Sequence, residues 1–61
     1  MAEWYRKAAE QNDEEAQYKL GQCYDDAVGV DRDTEKAAEW YKKSAENGNR
    51  NAQYQLGRRY Y

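Results

Sequence analysis

The chain has 61 residues, 39% of them apolar and 36% charged, which limits it to one small domain that buries about 60% of the surface its unfolded form exposes. A net charge of -2, a pI near 5.0 and a mean hydropathy of -1.52 speak against nucleic acid as the main partner, and no run of about 18 apolar residues is present to span a membrane. Cys23 is the only cysteine and histidine is absent, so no internal disulfide, Ser/His pair or Cys/His pair can be built within one chain.

Met1, Trp4, Tyr5 and Ala8 follow one-face helical spacing and predict a first helix over 2–11. Asn12 stands where a left-handed helix stop is wanted, and Asp13 where a side-chain oxygen caps the next helix. Ala16, Leu20, Cys23, Tyr24 and Ala27 form a second stripe and predict a helix over 14–26. After a connection from Ala27 to Asp33, the latter a further N-cap, Ala37, Trp40, Tyr41 and Ser44 predict a third helix over 34–47. Gly48 and Asn49 repeat the stop and cap, and Ala52, Leu56 and Tyr60 predict a fourth helix over 50–60. Nine aromatics, seven Tyr and two Trp, sit at regular places in these stripes, which is why so hydrophilic a chain folds.

The first and third helices are copies, and so are the second and fourth. Laying residues 1–25 over 37–61, a shift of 36, gives 13 identities in 25 positions, among them Trp4/Trp40, Tyr5/Tyr41, Gln17/Gln53, Tyr18/Tyr54 and Gly21/Gly57. A period in this range marks stacked helical units that cannot bury their apolar faces alone. Gly21 and Gly57 fall in mid-helix, where glycine costs about 1 kcal/mol relative to alanine. Their recurrence predicts a packing role, with a neighbouring helix or a Trp ring brought close to the backbone.

Ala16, Leu20-Gly21, Tyr24, Gly29-Val30, Asp33, Lys36-Ala37, Trp40-Tyr41, Lys43, Ala45-Glu46 and Gly48 together resemble the Sel1-like repeat. That family is related to the tetratricopeptide repeats. The resemblance implies an all-α fold, here an α-solenoid fragment of four antiparallel helices holding about 1.7 repeats. Residues 14–48 read as a full repeat, 2–12 as the second, B-type helix of a partial one, and 49–61 as the first, A-type helix of another, all within a single domain of residues 1–61. It also implies adaptor and scaffold roles. The cysteine-rich members that bind penicillin-like ligands carry paired cysteines, which Cys23 alone does not match. One departure stands out: where the family has a glycine two residues before Gly29, this chain has Ala27. The helix before it therefore runs on by a residue or leaves at a different angle.

Other routes to chemistry are weak. Cys23 lies on an apolar stripe and reads as a buried, inert thiol. Asp31-x-Asp33-x-Glu35 has the alternating oxygens of a calcium loop, yet Lys36 and Lys42 replace its glycine and its final glutamate, so helix capping explains the acids better. Glu14-Glu15 and Asp25-Asp26 diverge on a helix and read as solvated surface. Arg58-Arg59-Tyr60-Tyr61 reads as a basic helix end and not as a nucleic-acid contact. The expectation is a protein with no enzymatic activity, cofactor or metal, soluble and cytoplasmic, with no signal peptide.

Two surfaces are candidates for function. Tyr18 and Tyr54 lie about 200 degrees from Ala16 and Ala52 on their helices. Their rings are expected to point away from the B-type partner, beside Lys19, Gln22, Gln55 and Arg58, on an A-helix surface that takes a peptide or protein. Packing of each tyrosine between adjacent A-type helices is an equal alternative. The second surface is the pair of unfinished ends, where Trp4, Tyr5, Leu56 and Tyr60 are left partly exposed. Residues 1–35 carry ten acids against four bases, a charge of -6, and residues 36–61 carry six bases against two acids, +4. These opposite ends predict head-to-tail self-association, as expected of a designed or excised repeat piece that folds and stacks with no ligand.

Overall fold

The computed structural model describes residues 2–59, with side chains from residue 3 to residue 58. Its four helices are α1 (Ala2–Glu10), α2 (Glu14–Asp26), α3 (Thr34–Glu46) and α4 (Arg50–Arg59), and no strand occurs among the described residues. Each begins where the apolar stripes predict, and the first three end within a residue of the expected place. Met1 and Tyr60, which the stripes also involve, and Tyr61 lie outside the described residues.

The caps are those the short polar residues dictate. Asp13 Oδ1 accepts from the backbone N-H of Glu15 and Ala16, Asp33 Oδ1 from that of Lys36, and Asn49 Oδ1 from that of Ala52 at 2.8 Å. These bonds satisfy donors that the first helical turn leaves free. The turns between helices are also repeated. Asn12 (φ 72°) and Gly48 (φ 96°) take the left-handed stop, and the Asp13 and Asn49 N-H groups donate back to the Ala8 and Ser44 carbonyls at 3.2 and 3.0 Å. So tight a reversal lays successive helices antiparallel.

Ala27 settles the end of α2. The helix stops at Asp26, and Ala27 itself takes the left-handed position (φ 58°, ψ 42°), with its N-H donating to the Cys23 carbonyl. The extra residue of helix that the missing glycine left open is therefore not formed. Backbone bonds hold the strained turn from both sides: Val28 N-H donates to Cys23 O at 2.9 Å, and Asp33 N-H to Tyr24 O at 3.0 Å.

α2 and α3 are the middle of the molecule, α2 packed against both α1 and α3, and α3 against both α2 and α4. Small residues (Ala9, Ala16, Ala37 and Ala52) bring the helices close, and Leu20, Tyr24 and Tyr41 fill the space between them, all buried. Val30, from the long connection, packs onto this core.

Candidate interaction surface

Gly21 is the seat of the central contact. A Cβ built on it would lie 2.8 Å from Tyr41 Cδ1 and Cε1 and 3.2 Å from the Ala37 carbonyl oxygen. No real side chain fits there, so glycine lets the Tyr41 ring reach the α2 backbone. The packing role predicted for Gly21 is present, but the ring that uses it is a tyrosine and not a tryptophan. Gly57 occupies the same place one repeat on, and a Cβ there would meet nothing within 4 Å among the described residues.

Tyr18 departs from its predicted direction. Its ring meets that of Tyr41 at 5.6 Å between centroids and 45° between planes, so it points toward the B-type helix α3 and not away from it. Its spacing explains why. Tyr18 precedes Gly21 by three residues and so lies beside it on the α2 surface, next to the ring that Gly21 admits. An angle measured from Ala16 alone misleads because α2 has two packed sides. Gln22 Nε2 donates to the Tyr18 hydroxyl at 3.1 Å and holds the ring in place. The expected cluster of six divides accordingly. Tyr18 and Gln22 form a half-buried pair on α2 beside exposed Lys19, whereas Tyr54 and Arg58 are exposed on α4, with half-buried Gln55 between them. Tyr54 is 65% exposed, and the Arg58 guanidinium stands 6.0 Å from its ring centroid.

The other expected surface is present in part. Trp4 is 71% exposed, Tyr5 and Leu56 are half-buried, and Tyr60 lies outside the described residues. Beside Trp4 and Tyr5, two adjoining hollows of about 300 and 280 Å³ run along α1 and α2. Ala16, Cys23 and Val28 give this groove apolar walls, and Asp13, Glu15 and Asp26 place acids on it, with Lys19 shared by both hollows. The Cys23 thiol is buried, as its stripe predicts, and burial pushes its pKa up from the ordinary value, with Asp26 adding in the same direction.

Sequence reasoning overlooked one group. Gln17 is buried between α1 and α3, where its Nε2 donates to the Ala9 carbonyl at 3.1 Å and its Oε1 accepts from Asn47 Nδ2 at 3.0 Å. The Asn47 amide also donates to Asn12 Oδ1 at 3.0 Å, tying the two turns together. Ser44, also buried, donates to the Glu14 carbonyl at 2.6 Å. The Gln17/Gln53 identity was the available signal, for Gln53 Nε2 donates to the Ala45 carbonyl at 3.2 Å, the same bond 36 residues later.

Among the described residues no cluster of His, Cys, Asp or Glu could hold a metal ion, and Asp33 is spent on its cap. No helix among them is long and apolar enough to cross a membrane. What the geometry offers is a repeated helix contact with one glycine seat filled and one, among the described residues, open. The Sel1 repeat model matches residues 2–13, 14–49 and 50–61. The chain belongs to the Sel1 repeat family. Sel1 repeats are non-catalytic helical repeats generally involved in protein-protein interaction, which agrees with the solenoid packing of α1 to α4. No curated protein matches the chain closely enough to be compared with it.

Proposed function

We propose that this Sel1 repeat chain is a non-enzymatic interaction module that binds a peptide or protein segment on its A-helix surface. Tyr54, Gln55 and Arg58 of α4 form the exposed part of that surface, and Tyr18, Lys19 and Gln22 of α2 the part that packing already steadies. The observation that carries this reading is Tyr54, a large ring 65% exposed beside an arginine. Aromatic and arginine side chains dominate binding energy where they anchor a partner. Protein partners suit the weakly acidic chain better than nucleic acid does, and an unpaired cysteine suits a reducing compartment such as the cytoplasm.

Selecting a displayed peptide library on the wild-type chain, then on Tyr54→Ser, tests the reading. It holds if enriched peptides lose binding on the variant while the melting curve stays unchanged. Peptides that bind both chains equally would move the site elsewhere.

A second reading, an excised or designed piece that folds and stacks without a ligand, is favoured by the open space over Gly57.

A further inference from the structure

We infer that the open seat at Gly57 takes Tyr5 of a second copy, so that α4 of one molecule lies in the groove between α1 and α2 of the next. This rests on the interaction-module reading for the use of the Tyr54 face and takes from the second reading its occupant, another copy of the chain.

The template is the contact between α2 and α3 within one molecule. There the Tyr41 ring enters the seat at Gly21, Tyr18 packs on that ring, and Leu20 is fully buried beside them. Moving back or forward by 36 residues turns each member into its copy: Tyr41 into Tyr5, Gly21 into Gly57, Tyr18 into Tyr54 and Leu20 into Leu56. All four copies are retained, yet within one molecule they are divided between α1 and α4.

Each half is also less covered than its template. Tyr41 is 1% exposed and Leu20 is 0%, whereas Tyr5 and Leu56 are only half-buried; Tyr54 is exposed where Tyr18 is half-buried. Bringing α4 of one copy against α1 of another supplies what each lacks, and exposed apolar surface of this kind is what such a contact removes from water.

Charge selects the same occupant. α4 contains Arg50, Arg58 and Arg59 and no acid, while among the described residues the groove carries Asp13, Glu15 and Asp26 with Lys19 as its base. A basic helix in an acidic groove approaches faster and in a preferred direction. The contact is heterologous, using different surfaces on the two molecules, so repeated association makes a ring or a filament and not a closed two-fold dimer.

Gly57→Ala is the decisive variant. Because a Cβ at Gly57 meets nothing within 4 Å among the described residues, the substitution should leave the fold intact, which circular dichroism checks. Between copies the same Cβ would overlap a tyrosine ring. Sedimentation equilibrium of the 61-residue wild-type chain at low salt should give an average mass above 7.2 kDa that rises with concentration and falls with added salt. Gly57→Ala should weaken association about tenfold or more, and the larger Gly57→Gln should leave a monomer. Mixing Gly57→Gln, whose groove is intact, with Tyr5→Ala, whose α4 is intact, should restore a two-chain complex that neither forms alone.

A 7.2 kDa wild-type monomer at every concentration, or association undiminished in Gly57→Ala, would overturn the inference. If such a monomer still bound library peptides through Tyr54, only the identity of the partner would be wrong. Loss of both binding and association would remove the interaction-module reading as well.

Discussion

Tyr41 lies against the backbone of Gly21, with two ring carbons 2.8 Å from where a Cβ would begin. Gly21→Ala must therefore push a fully packed ring, and overpacking of this kind costs about 1–3 kcal/mol, more than the roughly 1 kcal/mol that alanine returns in helix propensity. Gly57→Ala meets no such ring among the described residues and should gain up to about 1 kcal/mol. Urea unfolding of the two variants, measured where the chain is monomeric, should shift the midpoint in opposite directions.

The buried amide of Gln17 gives a second contrast. Gln17→Met keeps the volume but leaves the Ala9 carbonyl without its side-chain donor and takes one acceptor from Asn47, a loss of about 1–3 kcal/mol. Gln53→Met removes the corresponding bond to Ala45 at an exposed position, where water replaces the amide, and should cost less than about 0.5 kcal/mol. Thermal melts of the pair provide the comparison.

Ala27→Gly should stabilise the chain. A left-handed alanine costs about 1 kcal/mol that glycine does not incur, and part of this gain is offset by the freer unfolded chain. The expected outcome is a rise in melting temperature with the helical signal unchanged.

The two tyrosines should behave differently despite their equivalent places. Tyr18→Ser removes a ring packed on Tyr41 and should lower stability by about 2–4 kcal/mol, whereas Tyr54→Ser removes an exposed ring and should change the monomer by less than about 0.5 kcal/mol. Denaturant curves read the difference directly.

Cys23 makes stability depend on alkaline pH. Burial raises its pKa above the ordinary 9.0, so between pH 9.0 and the folded value the native state holds a proton that the unfolded state has released. Its contribution is thus fully present below pH 9.0 and is lost as pH rises through the folded value. Cys23→Ala should flatten that part of the decline when urea midpoints are compared from about pH 8 to about pH 10.5. Alkylation of the native thiol should also be slow until the chain is unfolded.

The four helices, their caps and the stops at Asn12 and Gly48 were legible in the sequence because each depends on near neighbours, whereas the stop of α2 at Ala27 was left open. A stripe repeats every three or four residues, Asp13, Asp33 and Asn49 bond to N-H groups two or three residues on, and Asn12 and Gly48 turn the chain locally. The 36-residue identity likewise determined that the units stack. Only the tertiary structure decided what each repeated residue does. Gly21 and Gly57, or Tyr18 and Tyr54, have the same local sequence signal, but one member of each pair faces α3 and the other, among the described residues, faces no helix that fills its seat. The direction of Tyr18 and the burial of Gln17 follow from α2 having neighbours on two sides, a fact of packing that no single-helix periodicity contains.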